Sequence, residues 1–228
     1  MIRLSVLPSV LLALLLLVTP PLQAAEIHRE KSLYRNIVVK EADGRRCLLF
    51  SVQRGDRNQT CMDLQDPKRL VFPYVRMSFG GLLLNPNPAR VLVIGLGGGS
   101  IPIALAELFP AAMIDVVEID EAVVRVARQY FNFAESAHLK VKVSDARVFI
   151  KRALLQDRTY DLIILDAFTG DYIPEHLMTQ EFLQESRDLL SEAGVLVANT
   201  FSTSVLYDHE SETYQSVFGD YLNFKLPI

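Results

Sequence analysis

The chain has 228 residues, half of them hydrophobic, which is enough apolar material to bury one full core and at most a small appendage. Its 23 basic residues stand against 27 acidic ones, a net charge of −4, and no basic stripe runs along it. This balance excludes the electrostatic footprint of a nucleic-acid binder.

Residues 1–25 have the order of a secretory signal peptide: Arg3, an apolar stretch from Leu4 to Val18, Pro20 and Pro21, then the small residues Ala24 and Ala25 before charge begins. The stretch contains Pro8 and falls short of the roughly 20 apolar residues that a membrane span needs. Export, to a periplasmic compartment, is the expectation. Arg29, Lys31 and Arg35 follow directly and keep an uncleaved membrane anchor as the alternative.

Residues 26–84 read as a small β domain with a linker. "NIVVKE" and "RCLLFSV" are strand-like runs separated by "ADGRR", and "QRGDRNQ" reads as a second turn before "TCMDL", which predicts a three-stranded meander. The two cysteines, Cys47 and Cys61, flank "LLFSVQRGDRNQT" on neighbouring arms. They either bond or sit as two buried thiols. His28, His138, His176 and His209 are scattered without ligand spacing, so no metal is expected. "PKRLVFPYVRMSFGGLLL" connects, turning helical near Tyr74, and "NPNP" closes it.

Residues 85–228 change character, with short apolar runs alternating with amphipathic helices. "VLVIG" precedes a helix from Ile101, "IDVVEID" precedes "EAVVRVARQYF", "LKVKVSDA" precedes "RVFIKRALLQ", and "YDLIILDA" precedes "TQEFLQESRDLLSEAG", with Gly194 as its stop and "VLVANTF" after it. Val123, Val126, Ala127 and Tyr130 share one helix face, and Phe182, Ser186, Leu189 and Leu190 another. Strict alternation of strand and helix predicts an α/β fold, a Rossmann-like doubly wound and mostly parallel sheet. A last helix is expected over "TSVLYDHESETYQSVFG", followed by a start of a further strand in "DYLNFKLPI". Such an edge calls either for more chain or for a partner that covers it.

The run Gly95, Gly97, Gly98, Gly99 joins the first strand of this domain to its helix, with Ser100 expected as helix cap and Pro102 in the first turn. Glycine there permits positive φ and lets a ligand approach the backbone at a helix N-terminus. The spacing is G-x-G-x-G without a following G-K-[ST], which disfavours a dinucleotide or a triphosphate. Glu118 ends the next strand, about 20 residues on, where a carboxylate can accept from both hydroxyls of a ribose. Asp145 follows the third strand, where it can meet the edge of an adenine, and Asp166 ends the fourth. Three acids at successive strand ends predict a nucleoside-type crevice; Asp120 reads as a helix cap, and Asp145 has that reading too.

On these motifs the chain resembles the spermidine/spermine synthase family, aminopropyltransferases on a methyltransferase-like scaffold, over roughly Tyr34 to Phe218. "VLVIGLGGGS" is similar to the family's nucleotide loop, "VVEID" to its ribose-binding strand end, "VSDA" to its adenine-contacting aspartate, and "YDLIILDA" to the strand that carries its catalytic aspartate. The resemblance therefore implies Asp166 as the catalytic residue, with Gly95, Gly97, Gly99, Glu118, Asp145 and Gln59 binding the donor. "DPKRLVFPYVRM" resembles the segment that puts Tyr74 in the amine pocket, with Asp171 and Tyr172 beside it. Departures are equally specific. Gly98 stands where the family has an aspartate for the donor's amino group, Thr169 where it has a second acid, Val75 for a His or Gln, and Arg76 for a Glu.

The activity implied is transfer of an aminopropyl group from decarboxylated S-adenosylmethionine to a polyamine, the small-molecule amine partner, without a metal. The alternative is a methyltransferase using S-adenosylmethionine, as in spermidine-synthase-like methyltransferases whose loops lack the acid. A further alternative is a non-catalytic nucleoside or polyamine binder, since neither donor is expected outside the cytoplasm. A homodimer is implied by resemblance alone.

Overall fold

The computed structural model describes residues 24–52, 55–168, 173–200 and 207–225. The leader predicted over 1–25 lies almost wholly outside them, and no helix among the described residues is long and apolar enough to cross a membrane.

The first layer is an antiparallel sheet of four strands in sequential order, β1 (Ala25–Lys31), β2 (Asn36–Ala42), β3 (Arg45–Val52) and β4 (Gly55–Asp63). One strand more than expected is present, and the segment read as a long turn belongs to β4, since Val52 already pairs with Gly55. The reason is common to both misreadings. β1 and β4 are the edges of the sheet, so "AEIHREK" and "GDRNQ" carry polar residues while their backbones still bond to β2 and β3. Cys47 and Cys61 are direct cross-strand partners in β3 and β4 and are disulfide-bonded. Ile37, Val39, Leu48, Phe50 and Met62 form the buried face.

After α1 (Pro73–Ser78) and a 3-10 turn at Phe79–Leu83, the second layer begins. β5 (Arg90–Ile94), β6 (Met113–Glu118), β7 (Leu139–Val143), β8 (Tyr160–Leu165) and β9 (Leu190–Ala198) form one parallel sheet in the order β7-β6-β5-β8-β9. Val91 to Ile94 and Leu162 to Ile164 are buried, as a parallel sheet covered on both faces requires. One face carries α1 and α2 (Ser100–Leu108); the other carries α4 (Ala146–Leu154), α5 (Gln180–Asp188) and α6 (Tyr207–Phe218). α3 (Glu121–Tyr130) buries Ala122, Val123 and Val126 against the N-terminal sheet, which seats that sheet over the strand ends of the second.

Three expectations are corrected. The helix "TQEFLQESRDLLSEAG" ends at Asp188, and Gly194 lies inside β9: a Cβ there would meet Ser191 N and Tyr160 O at 2.8 Å, so close backbone approach at a bulged strand selects glycine, not a helix stop. The cap of α2 is Gly99, in left-handed conformation at φ 84°, and Ser100 is the first helical residue. Among the described residues, 220–225 form no strand and β9 is an edge of the sheet; 226–228 lie outside the described residues.

The disulfide closes a loop of 14 residues in the layer that covers the strand ends. Replacing both cysteines by serine is expected to cost about 3 kcal/mol by loop entropy. Urea unfolding with and without reductant checks this, and coincident curves would contradict it.

Candidate active site

The order 3-2-1-4-5 in the second sheet puts its switch point between β5 and β8, where ligands of open α/β sheets bind at the carboxyl ends of strands. At that end the hydrogen-bond ladder runs one residue past the strands. Gly95 N donates to Val117 O (2.8 Å), Asp166 N to Ile94 O (2.8 Å), Ser144 N to Glu118 O (3.0 Å) and Asn199 N to Leu165 O (2.9 Å). The strand tips are thereby held level. Gly95 has φ 99°, and a Cβ on it would stand 2.2 Å from Asp166 O.

A cavity of about 280 Å³ opens there, lined by Gly95, Gly97, Glu118, Asp145, Asp166, Gln59 and Tyr74 among others. The structure thus gathers seven of the predicted residues. Gly99 is not among them: it turns the chain into α2, and a Cβ there would meet Phe133 Cδ2 at 2.7 Å. Asp171 and Tyr172, like Thr169, lie outside the described residues.

Each acid has a different electrostatic setting. Glu118 is buried; its Oε2 accepts from Leu96 N (3.1 Å) and its Oε1 from Asp120 N (3.0 Å), leaving lone pairs on both oxygens for a ligand's hydroxyls. Burial raises its pKa, opposed by those two N–H groups and the Arg35 guanidinium. Asp145 is the expected helix cap, its Oδ1 accepting from Val148 N (3.0 Å) at the start of α4; it also lines the cavity, with Oδ2 3.0 Å from His176 Nε2. Asp166 is pushed up to about 7 by burial, against a hydrogen bond from Asn199 Nδ2 to its Oδ1 (2.8 Å). Tyr74 donates to Gln59 O (3.2 Å), and burial beside Asp166 raises its pKa, so it stays a neutral phenol.

Four contributors escaped the sequence reading: Arg35, Thr60, His176 and Asn199. Arg35 and Thr60 reach the site only because α3 docks the N-terminal sheet, so no local pattern announces them. Asn199, directly after the strand "VLVA", occupies the same strand-end position as the acids and was findable on that ground. At the position of the missing acid, a Cβ on Gly98 would stand 2.4 Å from Thr60 Cγ2 and 3.1 Å from the Phe131 ring, so the loop is closed to side chains as built.

The family model for the spermine/spermidine synthase domain matches residues 76–223. A polyamine aminopropyltransferase of Vibrio vulnificus is 58% identical over 229 residues, which cover 98% of this chain and 76% of that protein. Among solved structures, a probable spermidine synthase from Corynebacterium glutamicum superposes with a TM-score of 0.70 at 22% identity, covering 84% of this chain and 70% of the other. Human methyltransferase-like protein 13 in complex with SAH superposes with a TM-score of 0.58 at 31% identity, covering 64% and 73%.

Gly95→Ala combines a positive φ, about 1–2 kcal/mol for a residue with a Cβ, with overlap on the Asp166 carbonyl. It is expected to destabilise the protein by about 2 kcal/mol or more in urea unfolding, and an unchanged midpoint would contradict the close approach.

Proposed function

Because the chain belongs to the spermine/spermidine synthase family, we propose that it is a polyamine aminopropyltransferase whose donor occupies the cavity at the ends of β5, β6 and β8. The observation that carries the reading is Asp166, whose carboxyl is pushed up to about 7 by burial, in one strand-end cavity with Glu118 and Asp145. Three carboxylates (Glu118, Asp145, Asp166) line this cavity against one guanidinium (Arg35), a balance that suits cationic ligands.

Decarboxylated S-adenosylmethionine supplies a carbon activated by its sulfonium. The acceptor nitrogen bonds to that carbon as the C–S bond breaks, and the thioether leaves neutral, so no general acid is needed. Glu118 holds the ribose, Asp145 the adenine edge, and the bare loop at Gly95 and Gly97 lets the donor lie against backbone. Asp166 orients the acceptor ammonium and takes its proton. Asn199 stabilises the ionised form of Asp166, and Tyr74 walls the acceptor side. Asp171 and Tyr172 belong to that side by resemblance.

A second reading is favoured by one observation. Gly98 offers no carboxylate to a donor's amino group and has no room for one, which fits an S-adenosylmethionine-dependent methyltransferase such as the human structural neighbour. Calorimetric titration with decarboxylated S-adenosylmethionine, S-adenosylmethionine and methylthioadenosine separates the readings. Preference for the first supports aminopropyl transfer, preference for the second supports methylation, and silence with all three leaves a non-nucleoside protein.

Export completes the proposal and is supported by the Cys47–Cys61 bond, since disulfides persist in oxidising compartments. The donor must then reach the enzyme on that side of the membrane.

Asp166→Asn is expected to lower turnover by about 10²–10⁴-fold while methylthioadenosine affinity stays within about twofold, in steady-state assays and calorimetry; parallel loss of both would make Asp166 structural. Because the base must be ionised, kcat/KM is expected to rise with pH through about 7. In Asn199→Ala, which removes a hydrogen bond to the charged form, that limb moves to higher pH. A limb unmoved in the pH profile of Asn199→Ala would separate Asn199 from the base.

A further inference from the structure

His176 is the middle residue of a short 3-10 turn, Glu175–Leu177, that follows Pro174 on the way from β8 to α5. Leu177 N closes the turn by donating to Pro174 O (2.8 Å), and the Leu177 side chain is buried in the core cluster that holds Ala146, Phe149 and Ile150 of α4. Anchoring Leu177 there brings the neighbouring imidazole to the N-terminus of α4. His176 Nε2 stands 3.0 Å from Asp145 Oδ2, and both residues line the strand-end cavity.

Asp145 thereby has a partner on each oxygen. Oδ1 accepts from Val148 N (3.0 Å) as the cap of α4, and an ionised carboxylate can only accept, so Nε2 of His176 carries the proton in the contact with Oδ2. Tied at both oxygens, the carboxylate has a fixed plane. One lone pair of Oδ2 remains for a ligand N–H. The pair contributes little to the fold, because the two side chains are 47% and 30% exposed and a contact that open to water is well screened. Its place in the cavity wall is what separates it from an ordinary surface pair.

We propose that His176 is a positioning residue for base selection: by donating to Asp145 Oδ2 it fixes the carboxylate so that the remaining lone pair accepts an N–H from a 6-aminopurine and repels the carbonyl oxygen of a 6-oxopurine. This role rests on the donor site proposed above, in which Asp145 meets the adenine edge. The contact between the two side chains is independent of that reading.

The first measurement therefore needs no ligand. Nitrogen NMR of histidine-labelled protein, with the His176 signal identified among the four histidines by its loss in His176→Gln, is expected to show the proton on Nε2 at about pH 8, where ordinary imidazoles are neutral. A proton on Nδ1 would overturn the proposal. Calorimetry then compares methylthioadenosine with methylthioinosine, its 6-oxo counterpart, and wild type is expected to favour the amino form. In His176→Leu, which keeps bulk in the wall without a donor, that preference is expected to fall about tenfold, the weight of one hydrogen bond to a charged group, mostly through weaker binding of the amino form. His176→Gln, whose amide nitrogen stands in for Nε2, should keep the preference within about threefold of wild type. Equal loss of both nucleosides in His176→Leu, or an unchanged preference, would overturn the proposal and leave His176 a plain wall residue. Failure of wild type to bind either nucleoside would instead sink the donor-site reading, and base selection with it.

Discussion

The contact on which the rest depends is that between the backbone of Gly95 and the carbonyl of Asp166. Two parallel strands, β5 and β8, are buried on both faces, and their hydrogen bonding continues one residue beyond each end. The continuation brings the first residue of the glycine loop so near Asp166 O that a methyl group would stand 2.2 Å from it. Steric emptiness at that point lets the loop turn away at φ 99° and leaves a hollow where a side chain would otherwise project. Glu118 and Asp166 face the same hollow because their strands flank β5 on either side.

A parallel sheet alone makes only half of this cavity. The N-terminal sheet, anchored by the buried face of α3, supplies the other wall: Phe50, Gln59, Thr60 and the Arg35 turn. The disulfide ties the two strands of that wall together close to Gln59 and Thr60. Placing a cation opposite two buried carboxylates turns a packing surface into part of the electrostatics, and residues of both layers line one cavity. Thr60 also fills the space above Gly98, which makes the absence of an acid in the loop a property of the packed wall as much as of the loop.

Much of the chemistry was legible because it is local. Glu118, Asp145 and Asp166 each close a short apolar run, and a strand end is a position that periodicity finds. Asp120 and Asp145 were legible as caps for the same reason, one residue before an amphipathic helix. The failures have a common cause as well. β1 and β4 are edge strands whose polar composition hides a bonded backbone, and Gly194 looked like a helix stop while a bulge against Tyr160 required it. Gly99 looked like a ligand contact and serves a turn under Phe133.

What the sequence by itself determined is the alternation of strand and helix, the glycine turn and the acids that end its strands, because each depends on residues within a few positions of one another. Only the tertiary structure decided that Arg35, Thr60 and Phe50 face those acids, that Gly98 has no room for a side chain, and that Asp166 is pushed up to about 7. Burial and proximity between residues far apart in the chain are set by how two sheets dock, and no local pattern encodes a docking.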